Sequence, residues 1–146
     1  MSVAYRAFAV LWTITVTYDF AVRLMTHDAF TLAVVGAAVL VLLQPRSTGR
    51  LCLLALAQLA FAWDQAPGRV MVHWYFNGLI HLLILGAWLS VAARERTLRV
   101  EGGSLLAAMR GPAILIASIA LTLAGFSKLN TSYLDPATSC ATVLWN

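Results

Sequence analysis

The stretch Gly111-Pro-Ala-Ile-Leu-Ile-Ala-Ser-Ile-Ala-Leu-Thr-Leu-Ala-Gly-Phe-Ser127 carries no charged side chain, and Lys128, which follows it, is the only lysine in the chain. A helix rises about 1.5 Å per residue, so a run of this length covers most of a hydrocarbon core about 30 Å thick. Four further uncharged runs precede it, Ala7 to Tyr18, Ala29 to Pro45, Leu51 to Trp63 and Val70 to Ala93, separated by clusters of charged or turn-forming residues. With 61% hydrophobic residues, 11% charged residues and a mean hydropathy of +0.82, the 146-residue chain falls outside the range of soluble domains. The expectation is an all-α, polytopic membrane helix bundle of about five transmembrane helices forming a single domain over residues 1–146. The helices are expected roughly at 5–25, 29–44, 49–64, 70–93 and 111–128, with a loop at 94–110 and a tail at 129–146.

Charge then sets the topology. Arg6, Arg46, Arg50, Arg94, Arg96, Arg99 and Arg110 fall on one side of such a bundle, whereas Arg23, Arg69 and Lys128 fall on the other. Basic residues concentrate in cytoplasmic loops, which places the amino terminus in the cytoplasm and the carboxyl terminus outside. The net charge of +4 is therefore a matter of topology and not a sign of nucleic-acid binding. Cys52 and Cys140 come out on opposite sides, too far apart to bridge. The first apolar run lacks a small-residue cleavage pattern and reads as an uncleaved anchor.

The turns combine proline, glycine and charge, in Gln44-Pro-Arg-Ser-Thr-Gly-Arg50 and Asp64-Gln-Ala-Pro-Gly-Arg69. The run from Leu51 to Trp63 is short, so either Arg50 and Asp64 sit near the hydrocarbon boundary or the helix is re-entrant. Asp19 and Arg23, four residues apart, can pair on one helix face, and a mutually neutralised pair at the membrane interface is the simplest account of them. Between Arg94 and Arg110 the apolar Leu105, Leu106 and Met109 allow a short interfacial helix, and a plain polar loop is equally compatible.

Ionisable groups at membrane depth are costly, and those that occur there are commonly functional. In His73-Trp-Tyr-Phe-Asn77-Gly-Leu-Ile-His81, positions 73, 77 and 81 share one helix face and form a polar stripe. Interhelical hydrogen bonding is one use for it. The other is a pocket, because Asp19, Arg23, Asp64, His73 and Lys128 all fall toward the outer leaflet. An amine in apolar surroundings is more easily held neutral and can then act as a base. No metal is expected, since the histidines at 27, 73 and 81 lack the i, i+4 pair that places two imidazoles on one metal, and the two cysteines lie on opposite sides.

At Ala124-Gly-Phe-Ser-Lys-Leu-Asn130, followed by Tyr133-Leu-Asp-Pro and Ser139-Cys140, the chain resembles the vitamin K-dependent gamma-carboxylase family and its bacterial relatives, the horizontally transferred transmembrane domain proteins. In that family an Ala-Gly-x-x-Lys-Leu-(Asp/Asn) segment ends a membrane helix, and its lysine is the proposed base that deprotonates a reduced quinone. Lys128 occupies that position. His73, 55 residues earlier in Val72-His-Trp-Tyr, matches a family histidine at the opening of a helix, with Val72 in place of an asparagine. The helix bearing Asp19 and Arg23 resembles the family's first. The likeness covers the amino-terminal half of the family's membrane domain, without its later helices or its soluble substrate-recognition domain.

What the resemblance implies is a reaction. The lysine takes a proton from the hydroquinone, oxygen adds to give a strongly basic alkoxide, and that base removes a glutamate γ-proton before carbon dioxide is captured. Catalysis falls to Lys128 and His73, with Asp19, Arg23, Asp64, Asn77, His81 and Asn130 lining a quinol pocket on the outer face. The expected cofactor is a reduced quinone of the vitamin K type and the location a bacterial inner membrane. Membrane lipids surround the bundle, and a protein partner or self-association completes it. The alternative is a small non-enzymatic membrane subunit, similar in size to DoxX-type proteins, packed in a larger complex.

Overall fold

The computed structural model describes the backbone over residues 2–21, 29–65 and 72–128, and side chains at 2–18, 29–64, 76–123, 125 and 126. Within that range the chain is helical throughout, in the order α1 (Val3–Ala21), α2 (Ala29–Leu43), α3 (Thr48–Gln65), α4 (Val72–Glu95) and α5 (Gly102–Lys128). Two stretches, Phe76–Glu95 in α4 and Gly102–Leu123 in α5, are long and apolar enough to cross a membrane, and Ala29–Leu43 is a shorter apolar helix. The chain divides into two compact units, Met1–Ala113 and Ile114–Asn146.

Local chemistry explains the helix ends of the first unit. The Ser2 hydroxyl accepts a hydrogen bond from the Tyr5 amide at 3.1 Å, and Ser47 does the same for Arg50 at 3.3 Å, so each serine satisfies an amide that the first helical turn leaves without a partner. Between α2 and α3, Pro45 occupies the second position of a tight turn closed by the Ser47 amide on the Gln44 carbonyl at 3.1 Å. The Arg50 guanidinium reaches back to the Leu40 carbonyl at 2.9 Å, placing a cation at the carboxyl end of α2, where the helix dipole favours it. At the end of α4, Arg96 takes a left-handed conformation with φ of 49°, and the Thr97 amide closes back on the Ala92 carbonyl at 3.1 Å. That is the six-to-one bond of a Schellman stop.

In the first unit α2 packs on α1 and on α3, and α3 packs on α4. Small residues line these contacts: Ala9, Ala37, Ala38, Ala55 and Ala87 are buried beside Val34, Val41, Leu54 and Ile84. Small side chains let helix backbones approach closely, which matters where lipid removes the hydrophobic drive for association. Hydroxyls are absorbed by the helices themselves. Thr13, Thr15, Thr17 and Ser90 each donate to the carbonyl four residues earlier. Outward, the surface is apolar, with Leu11 at 64%, Leu43 at 75% and Trp63 at 85% exposure. So broad an apolar surface is typical of contact with membrane or protein and not with water.

One end of this unit is tied together. The Thr48 hydroxyl donates to the Val100 carbonyl at 2.8 Å, linking the α2–α3 turn to the segment that leads into α5. Gly102 lies directly against Tyr5: a Cβ at position 102 would stand 2.4 Å from the tyrosine Cγ and Cδ1. The start of α1, the α2–α3 turn and the α4–α5 connection thus share one end of the unit. With them go Arg6, Arg46, Arg50, Arg94, Arg96 and Arg99.

The fifth helix corrects the sequence expectation. It begins at Gly102 and not near residue 111, so the connection expected over 94–110 shrinks to residues 96–101. The Leu105 amide bonds to the Glu101 carbonyl at 3.0 Å, which starts the helix, and it then runs on through Pro112. Leu105 and Met109, one turn apart, are buried. Burial of that face overrides both the glycine pair, Gly102 and Gly103, and the proline, which lacks an amide proton but is tolerated in apolar helices.

Candidate functional site

The centre of the first unit holds polar groups drawn from three helices. His81, near the middle of α4, is 2% exposed, and Asn77, one turn before it, is half-buried. Four-residue spacing puts both on one helix face, and the burial shows which way His81 turns. Its ring meets the indole of Trp12 on α1 edge to face, with centroids 5.4 Å apart and an interplanar angle of 61°. This contact joins the first helix to the fourth. Trp12 stacks in turn on Phe8, one turn earlier, at 6.4 Å and 16°.

Several of these polar atoms have no partner. The Nε2 of His81, the Nε1 of Trp12 and the amide nitrogen of Gln58, itself a buried residue near the middle of α3, are enclosed and make no hydrogen bond. An unsatisfied buried donor or acceptor costs about 1–3 kcal/mol. Thr13, beside Trp12, is by contrast satisfied by the Ala9 carbonyl at 2.6 Å. The chemistry available is that of an imidazole nitrogen able to donate or accept one hydrogen bond and an indole N–H able to donate one, both facing apolar surroundings. Among the described residues no three His, Cys, Asp or Glu side chains come together in a way that could hold a metal ion.

The residues selected from sequence fare unevenly. His81 and Asn77 lie as described above, and Asp64 is exposed near the end of α3. The side chains of Asp19, Arg23, His73, Lys128 and Asn130 lie outside the described residues, although His73 falls in α4 and Lys128 ends α5. Cys52 is a free, buried thiol at the start of α3, and Cys140 lies outside the described residues. Sequence reasoning did not single out Trp12 or Gln58. Gln58 had a signal, since it is the one amide in the uncharged run from Leu51 to Trp63. Trp12 had none, because an indole in an apolar helix is ordinary until its neighbours are known.

No protein-family model, no curated protein and no solved structure matches the chain.

Proposed function

We propose that the chain is a five-span membrane protein of a bacterial inner membrane, with its amino terminus in the cytoplasm, whose bundle takes up a lipid-soluble quinol and draws a proton from it, as in the carboxylase family that its sequence resembles. The observation that carries this reading is the buried imidazole of His81, with its ring on Trp12 and its Nε2 without a hydrogen-bond partner in the middle of the bundle. A polar group kept at that depth without a partner has a structural cost and no evident structural return, whereas a hydroquinone hydroxyl supplies the missing hydrogen bond and an aromatic ring suited to the Trp12 and Phe8 surfaces. Asn77, one turn along the same face, extends the polar lining. Lys128, at the end of α5, is assigned the role of base on the strength of its sequence motif.

The test is quinol-dependent incorporation of labelled carbon dioxide by the membrane-reconstituted chain, alone or with its partner, together with the thermal stabilisation that a reduced naphthoquinone confers. His81→Leu is expected to abolish stabilisation by the quinol while the unliganded protein melts at the wild-type temperature or above it. Lys128→Ala is expected to lower the rate about 10²–10⁴-fold, the range for loss of a general base, with binding retained. If the quinol stabilises wild type and His81→Leu equally, His81 has no part in binding it.

A second reading rests on the second unit. From Ile114 to Phe126 the large apolar side chains Ile114, Leu115, Ile119, Leu121, Leu123 and Phe126 are all more than half exposed, and the half-buried Ile116, Ala117 and Ala120 make the remaining face apolar too. A helix apolar all round requires lipid or protein on every side. Under this reading the chain is a non-enzymatic, DoxX-like subunit that α5 seats in a larger complex. Co-purification of a stoichiometric partner, with no quinol response from the assembly, would favour it.

A further inference from the structure

An open groove of about 400 Å³ lies in the first unit between the start of α1 and the first three turns of α5, lined by Phe8, Leu106, Ala107, Met109, Arg110 and Ala113. Its volume falls within the range of about 300–1,000 Å³ usual for small-molecule sites. Five of the six lining residues are apolar, and the sixth is a permanent cation. Arg110 is exposed and, among the described residues, makes neither an ion pair nor a hydrogen bond, whereas Arg94 pairs with Glu95 at 3.6 Å. It stands eight residues into α5, with the uncharged run from Gly111 to Ser127 directly after it. An arginine that lies within the apolar stretch Gly102–Leu123, directly before its uncharged part, requires an anion or a path to the headgroups.

We infer that this groove is a binding site for an anionic phospholipid, with an acyl chain against Phe8, Leu106 and Met109 and the headgroup phosphate on the Arg110 guanidinium. Charge complementarity selects the occupant. The tied end of the first unit carries six arginines against Glu95 and Glu101, and Arg110 adds a seventh, so a zwitterionic lipid gains less there than an anionic one. The guanidinium fork matches phosphate oxygens in pairs. The mixed lining selects against simpler ligands, since a free phosphate has no use for the apolar wall and a neutral lipid none for the cation. The inference rests on the membrane-spanning reading above.

The experiment is native mass spectrometry of the full chain, solubilised in mild detergent and offered phosphatidylglycerol or phosphatidylcholine. Wild type is expected to retain phosphatidylglycerol in preference by about fivefold, the size expected of one basic residue at an anionic surface. Arg110→Gln should lose that preference, whereas Arg94→Gln, which removes an exposed arginine elsewhere at the same end, should keep it. Ala107→Trp, at an exposed position where a large side chain fills the groove and leaves the Arg110 charge in place, should reduce retention of the lipid while the helical circular dichroism is unchanged. The inference is overturned if Arg94→Gln loses as much preference as Arg110→Gln, if Ala107→Trp retains lipid as wild type does, or if millimolar inorganic phosphate displaces the lipid. Carbonate extraction of membranes separates this from failure of the spanning reading: a chain released by carbonate refutes the spans, and an embedded chain without lipid preference refutes only the groove.

Discussion

Tyr5 is wholly buried, the base of its ring is packed against Gly102, and its hydroxyl has no hydrogen-bond partner. The contact is made by the root of the ring and not by a mobile tip, so a methyl group at 102 cannot be accommodated by a small rotation. Gly102→Ala is therefore expected to destabilise the protein by about 1–3 kcal/mol, as overpacking does, seen as a lower melting temperature in detergent. Tyr5→Phe should be neutral or stabilising, because it removes an unsatisfied group and keeps the ring. Equal losses from both substitutions would mean that the hydroxyl is bonded after all. Neither residue declares itself in sequence: Gly102-Gly103 reads as a loop signal, and only the neighbour across the unit shows that position 102 is a close approach between two helices.

Among the elements, α4 and α5 are joined by a stop signal unusual in composition. Arg96 occupies the left-handed position that glycine usually fills. Such a conformation costs a side-chain-bearing residue about 1 kcal/mol or more. Arg96→Gly is expected to raise stability by up to about 1 kcal/mol, less the added freedom of glycine in the unfolded chain, and thermal melts would show it. A fall in melting temperature would indicate that the arginine side chain holds the connection by contacts of its own. Most helix limits were legible because their causes are local: Pro45 and Ser47 mark the α2–α3 turn from sequence alone. The start of α5 was not. Leu105 and Met109 gain burial only against a surface that the sequence does not display, and that gain extends the helix back past Pro112 to Gly102.

For the molecule as a whole, the arrangement of arginines gives the next prediction. Arg6, Arg46, Arg50, Arg94, Arg96 and Arg99 share the end of the first unit that the Thr48–Val100 bond and the Tyr5–Gly102 contact hold together. In a cell that end should face the cytoplasm. Single cysteines introduced at Arg46 and Arg99 in a Cys52→Ala, Cys140→Ala background should both resist a membrane-impermeant thiol reagent in intact cells and both react after lysis. Opposite behaviour of the two would break the shared end, and reaction of both in intact cells would invert the topology. Of the candidate site, the sequence supplied the Asn77–His81 face but not its companions. Helices apolar on both their outward and packed sides carry little periodic signal, so the direction in which each polar residue points stays hidden until the packing is known.

By itself the sequence determined that the described chain is helical, near which residues most helices begin and end, and which loops gather the arginines, because hydropathy, turn residues and charge all act locally. Tertiary structure alone decided that α5 begins nine residues before its uncharged run, that Trp12 of the first helix meets His81 of the fourth, and that Arg110 stands over an apolar groove beside Phe8. Those outcomes depend on the rotation of each helix about its own axis, and that rotation is set by the fit between small and large side chains across helix contacts, not by any property of one segment read alone.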